Sequence, residues 1–287
     1  MNENYIQRVA SAIPRSGELS RHSDSRFGAE WFYMQAAPRA CFTTGLLDAL
    51  KSGFAEIAQR SDDEVNYVVI ASSVPGTYNL GGDLALFQQY IHDRNREGLL
   101  EYARKCVDLI YTMTAGVRRG VCGVMLVQGD ALGGGMEAAL SGDVLIAERN
   151  VRMGLPEIMF NLFPGMGAYS LLSRKVGPKL AERMILSGQL YTAEELHEMG
   201  IVDRLAEPGE GERAVREFME EDARRANGAR ALREAKRLSN PVTYQELYAI
   251  TEVWVDAALR LTDRDLRMME RLVKRQTKRS DPVVKSA

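Results

Sequence analysis

Two glutamates stand in apolar company beside glycine-rich turns. Glu137 lies in Gly133-Gly134-Gly135-Met136-Glu137-Ala138-Ala139, and Glu157 in Gly154-Leu155-Pro156-Glu157-Ile158. A carboxylate among apolar neighbours is costly to ionise unless it has a partner or a task. Either one alone reads as a carboxylate favoured at a helix start. Taken together they make an acid/base pair, because burial and proximity raise one pKa and leave the other group ionised. The Gly133–Gly135 run allows three readings. It is a tight turn that only glycine tolerates, a phosphate cradle without a GxGxxG or Walker pattern, or a helix start whose free N–H groups face a developing oxyanion. The two glutamates favour the third. A second loop, Tyr78-Asn79-Leu80-Gly81-Gly82-Asp83, offers either the other half of an oxyanion hole or a surface turn capped by Asp83.

The elements that must hold these residues follow from periodicity. Tyr67–Ala71 is a short β-branched run that suits a strand buried on both faces, and the Asn79–Asp83 loop comes after it. Residues 97–118 carry helical spacing in Leu99, Leu100, Ala103, Val107, Ile110 and Tyr111. Val121–Val127 is a second strand that enters the glycine run directly, with a small-residue helix over Met136–Ser141. Val144–Ala147 and Val151–Met153 are further strands, Trp31–Met34 an early one, and a helix surrounds Leu46, Leu47 and Leu50. Strands alternating with helices in this way predict an α/β fold. From residue 176 the pattern is helical, with long amphipathic helices over 212–237 and 241–278. The expected division is a polar lead-in at 1–28, a core at 29–205 and a C-terminal helical region at 206–287.

Composition narrows the class of partner. The 287 residues carry a formal charge of −2, so no overall field draws in nucleic acid. Cys41, Cys106 and Cys122 are odd in number and widely spaced, with no CxxC or Cys/His cluster, which points to reduced buried thiols and to no metal. No apolar signal core and no run of 18 apolar residues occurs, so a cytoplasmic protein without membrane contact is the expectation. His22, His92 and His197 fall outside the motifs, and Ser170 lacks a nucleophile-elbow context.

Four ordered motifs carry a resemblance. Asn79-Leu80-Gly81-Gly82-Asp83, Ala131-Leu132-Gly133-Gly134-Gly135-Met136-Glu137, Met153-Gly154-Leu155-Pro156-Glu157 and Phe163-Pro164-Gly165-Met166-Gly167 together resemble the enoyl-CoA hydratase/isomerase (crotonase) superfamily. The stretch Ala181–Asp203 fits it as well, and the resemblance extends over roughly residues 30–280. Three longer strings, Asn79–Phe87, Leu162–Ser170 and Thr251–Asp256, look like the bacterial diffusible signal factor synthases within that superfamily, as does the basic helix Met269–Ser280. Where ordinary hydratases commonly carry Leu-Gly after the second glutamate, this chain has Phe160-Asn161.

The resemblance implies a crotonase-like α/β fold, a spiral of ββα turns with a C-terminal helical region that closes the pocket or meets a neighbouring subunit. It implies a homotrimer or a dimer of trimers. It places the catalytic pair on Glu137 and Glu157 and the oxyanion-hole N–H groups on Leu80 and Gly134. Substrate contacts fall on Gly81, Gly82, Asp83, Gly133, Gly135, Met136, Phe160, Leu162, Phe163, Met166 and Trp254. The implied reaction dehydrates a 3-hydroxyacyl thioester of acyl-carrier protein to a cis-2-enoyl thioester and hydrolyses it to a free fatty-acid signal. Glu157 takes the α-proton and Glu137 protonates the leaving hydroxyl. No cofactor is implied beyond the thioester donor, acyl-carrier protein or coenzyme A, and a sensor kinase is a possible further partner. An ordinary enoyl-CoA hydratase or isomerase is the alternative reaction. A non-catalytic binding protein of the same fold is the alternative of another class.

Overall fold

The computed structural model describes residues 17–36, 38–61 and 64–279. Its ten strands form two sheets. The larger holds, in spatial order, β1 (Leu19–Asp24), β2 (Ala29–Met34), β3 (Tyr67–Ser72), β5 (Cys122–Val127), β7 (Val144–Glu148) and β10 (Arg204–Ala206). The smaller holds β4 (Thr77–Asn79), β6 (Asp130–Leu132), β8 (Arg152–Gly154) and β9 (Leu190–Thr192). The chain steps from β3 to β4, from β5 to β6 and from β7 to β8, placing one strand in each sheet at every turn. Helices α1 (Thr44–Ala58), α2 (Leu84–His92), α3 (Arg96–Ala115) and α4 (Gly134–Leu140) return it between turns. This is the expected ββα spiral.

Parallel pairing explains the unbroken apolar runs. β2, β3, β5, β7 and β10 run parallel, with Val69 opposite Val124 and Leu126 opposite Ile146. Both faces of such a sheet need cover. On one face Phe32, Val68, Ile70, Met125 and Val127 join the core made with α1 and α3. On the other, Trp31, Tyr33, Val69, Val124 and Leu126 meet Ala214, Val215 and Met219 of α8 (Gly211–Ala223). The period of two along each strand therefore divides two cores, and the glycine-rich turns lie on the side of the first.

The polar lead-in expected over 1–28 carries β1, which pairs antiparallel with all of β2; residues 1–16 lie outside the described residues. The two long C-terminal helices are four. The first is broken between α8 and α9 (Ala226–Ser239), and the bend brings Arg233 back onto buried Asp222 through two hydrogen bonds of 2.9 and 3.1 Å. The second is broken between α10 (Tyr244–Ala258) and α11 (Asp263–Arg279). Here Thr262 donates its N–H and hydroxyl to Asp265, which is helix-start chemistry spelled as Thr-x-x-Asp. Strands β4, β6, β9 and β10 have three residues each, too short for periodicity to reveal. Between β8 and β9 the chain makes a 3₁₀ turn (Pro156–Phe160) and the helices α5 (Ala168–Val176) and α6 (Pro178–Ser187). A short helix α7 (Ala193–Glu198) follows β9. Among the described residues no helix is long and apolar enough to cross a membrane.

Candidate active site

β4 and β6 lie side by side, with Asn79 opposite Ala131, so the loops that follow them emerge together. The contact is backbone on backbone. A β-carbon at Gly135 would fall 2.0 Å from the Asn79 carbonyl oxygen, and one at Gly81 would fall 3.0 Å from the Gly134 nitrogen. Side chains at either position would push the loops apart, and Gly81 also has a φ of +93° that disfavours any other residue.

Accounting for each N–H of the first loop identifies its open donor. Leu80 donates to the Ala40 carbonyl at 2.7 Å. Gly81 donates to Asn79 Oδ1 at 2.8 Å, and Asp83 to the Tyr102 hydroxyl at 3.1 Å. Gly82 alone has no acceptor among the described residues. The oxyanion-hole donor expected at Leu80 is thus already committed, and the open one is Gly82. At the head of α4, Gly133 donates to Gly154 at 2.8 Å, while Gly134, in the first helical turn, has no acceptor among the described residues. A β-carbon at Gly134 would stand 3.3 Å from the Gly82 nitrogen, so the two open N–H groups are neighbours.

A clamp holds the first loop. Arg39 grips Asp83 with two hydrogen bonds of 2.7 and 2.9 Å, and Asp83 caps α2 by accepting from Ala85 and Leu86. Tyr102 donates its hydroxyl to the Phe42 carbonyl. These partners were not legible beforehand, because they are separated by tens of residues and meet only through the spiral.

Glu137 sits on α4 and is almost fully buried. Its Oε1 accepts the N–H groups of Met166 and Ala168, each at 2.9 Å. Its Oε2 is sealed from solvent without a hydrogen-bond partner. Burial pushes its carboxyl up to about 7, opposed by those backbone donors. Glu157 sits on the 3₁₀ turn after β8. As a residue it is half-buried, yet its Oε2 is likewise sealed and unpartnered. Burial, and then the charge of Glu137, push it up to about 8. Two carboxyls that resist joint ionisation, each with one buried oxygen aimed at no protein group, can exchange protons with a bound molecule.

Both carboxyls line one cavity of about 840 Å³. Leu80, Gly81, Gly82, Gly133 and Gly134 line it too, with Phe160, Leu162, Met166 and Trp254. Four residues expected to touch substrate do not line it. Asp83 is turned into the Arg39 clamp. Gly135 is pressed against Asn79. Met136 points into the core and has no exposed surface, and Phe163 packs on that core from its edge. Neighbouring helical positions point about 100° apart, so Met136 is directed into the core while Glu137 lines the cavity. The cavity also takes in apolar residues of α1 and α3 that carry no motif.

Gly133→Ala is informative here. A β-carbon would fall 2.4 Å from Glu157 Oε1, at a backbone φ of +54°. The flexible carboxyl must move aside, and misplacement of that size should lower turnover about tenfold to hundredfold. Steady-state kinetics on a variant with an unchanged circular dichroism spectrum checks this; wild-type turnover would remove Glu157 from its place against Gly133.

Comparison with known proteins agrees with this geometry. The family model described as enoyl-CoA hydratase/isomerase matches residues 36–256. Crotonyl-CoA hydratase of Syntrophomonas wolfei is 32% identical over 154 residues, covering 53% of this chain and 56% of that protein. The chain spans between 22% and 56% of the length of the first curated relatives it matches. Among solved structures, human mitochondrial delta3-delta2-enoyl-CoA isomerase superposes with a TM-score of 0.76 at 18% identity, over 91% of this chain and 98% of that one. Pseudomonas aeruginosa DspI superposes with a TM-score of 0.63 at 23% identity, over 81% and 92%. At these identities the superpositions speak for the fold. The spiral, the paired glycine loops, the two buried glutamates and the family match over most of its length make this chain a member of the enoyl-CoA hydratase/isomerase family.

Proposed function

We propose that this protein dehydrates a 3-hydroxyacyl thioester and then hydrolyses the 2-enoyl product, releasing a free 2-unsaturated fatty acid as the diffusible signal factor synthases do. The observation that carries the reading is the pair of unpartnered carboxyl oxygens beside two open N–H groups in a cavity deep enough for a long acyl arm. The thioester oxygen sits between the N–H groups of Gly82 and Gly134. Fixed donors there stabilise charge without reorganising, and one such donor typically contributes about 3 kcal/mol.

The hydrogen bonding favours the proton roles in the reverse of the order expected from the sequence. Two N–H donors favour the ionised form of Glu137, while Glu157 has no such donor from another residue and faces a negative neighbour. Glu137 is the carboxylate that takes the α-proton, and Glu157 the acid that protonates the departing 3-hydroxyl. Water leaves, with Glu137 protonated and Glu157 ionised. In the second half Glu157 takes a proton from an attacking water, the oxyanion again lies between Gly82 and Gly134, and Glu137 protonates the leaving thiolate. Both groups end as they began, so one cavity serves both steps. Acyl-carrier protein is the proposed donor, and a homotrimer in the cytoplasm the proposed assembly.

Mass spectrometry of lipids released from 3-hydroxydodecanoyl-carrier-protein tests the reading. Free cis-2-dodecenoic acid is the expected product. The similarity to a crotonyl-CoA hydratase favours a second reading, ordinary hydration of an enoyl-CoA. No free acid, together with ready hydration of a short trans-2-enoyl-CoA, would establish that instead.

A further inference from the structure

The cavity around the carboxyls is lined both by exposed and by deeply buried residues. Met159, 57% exposed, and the exposed Arg271 line it on the solvent side. Phe54 of α1, Met113 of α3 and Met125 of β5, each no more than 4% exposed, line its buried part. Cys106, whose thiol feels the charge of Glu137, lines the cavity seven residues before Met113 on the same face of α3. Seven residues of helix measure about 10 Å. A saturated chain advances about 1.25 Å per carbon, given bonds of about 1.5 Å at tetrahedral angles. The arm therefore takes roughly eight carbons beyond the reacting centre, or a chain of about twelve.

Two methionines line that buried part, and glycines make room for both. A β-carbon at Gly123 would fall 2.8 Å from Met113 Cε, and one at Gly142 would fall 2.5 Å from Met125 Cγ. Each thioether chain thus lies flat on bare backbone of β5 or of the turn after α4. We propose that Met113 and Met125 are the stop that sets acyl-chain length, admitting straight chains of about twelve carbons and excluding longer ones. The proposal rests on the thioester reading above for the orientation of the substrate, with its carbonyl at Gly82 and Gly134 and its tail inward.

Binding tests it without requiring turnover. Of the two tryptophans, Trp254 lines this cavity and Trp31 lies on the opposite face of the large sheet, so ligand-dependent fluorescence reports on Trp254. The probes are straight-chain 2-oxoalkyl thioethers of pantetheine, which keep a carbonyl and cannot be hydrolysed. Affinity should climb about fourfold per added carbon, from about 0.8 kcal/mol each, and level off near twelve carbons. In Met113→Ala, or in Met125→Ala should that variant fold better, the plateau should move outward by roughly two to three carbons, the length of the deleted thioether arm. In Met113→Trp it should move inward. One plateau shared by wild type and all folded variants overturns the proposal. A plateau that shifts in an enzyme unable to release free acid would retire the reaction proposed above and leave the stop in place.

Discussion

Glu137→Gln and Glu157→Gln should each cut turnover about 10²–10⁴-fold, the contribution of one positioned acid or base. Glutamine keeps the shape of each side chain, and at position 137 its carbonyl oxygen can still accept from Met166 and Ala168. Folding and KM should therefore change little while kcat collapses. The double variant should be scarcely worse than the poorer single one, because the two groups act on one proton circuit. Under the assigned roles, Glu157→Gln stops loss of the hydroxyl, and Glu137→Gln stops removal of the α-proton. Solvent-deuterium incorporation at the α-carbon of recovered substrate separates them: it should survive in Glu157→Gln and vanish in Glu137→Gln. The opposite result would restore the reverse assignment, and full turnover in either variant would take that residue out of the reaction.

The same carboxyls make stability fall as pH rises. An unfolded glutamate releases its proton near about 4.3. In the folded protein Glu137 holds its proton to about 7 and Glu157 to about 8, chiefly because burial penalises the anion. Between those limits the native state binds more protons than the unfolded state, so the free energy of unfolding decreases with pH. The contribution is intact below about pH 4 and is lost by the time both folded groups have ionised. One proton held across one pH unit is worth about 1.4 kcal/mol, so the loss for the pair is on the order of ten kcal/mol at most. Urea unfolding at about pH 5 and pH 9 should show the wild type losing this stability. A Glu137→Gln/Glu157→Gln variant should lose much less and should be the more stable protein at the alkaline end. Parallel pH curves would mean that the two carboxyls ionise at the same pH in the folded protein as in the unfolded chain. The two buried carboxyls thus lower the stability of the fold near neutral pH, a cost that the proposed chemistry would explain.

The chain's own residues declared the α/β fold early, and the resemblance implied the spiral. Tyr67–Ser72, Cys122–Val127 and Val144–Glu148 are apolar along nearly their whole length, and only a sheet covered on both faces accommodates such runs. The two glutamates were legible because a carboxylate between apolar neighbours violates the local rule, and such violations concentrate at functional sites. Glycine in the two loops signalled close approach of backbone, which the contacts of Gly81, Gly134 and Gly135 explain.

Other features existed only in three dimensions. Which loop N–H is open depends on the Ala40 carbonyl, forty residues away in sequence, and that contact moved the donor from Leu80 to Gly82. The electrostatic asymmetry of the pair, on which the proposed order of proton roles rests, depends on Met166 and Ala168 donating to Glu137 and to no atom of Glu157. The buried part of the cavity is lined by Leu50, Phe54 and Met113, whose residue types match any buried helix. Local sequence determines backbone preference, burial pattern and the presence of reactive groups, since these depend on neighbours along the chain. Hydrogen-bond partners, electrostatic asymmetry and the shape of an empty volume depend on neighbours in space, and the tertiary structure alone decided them.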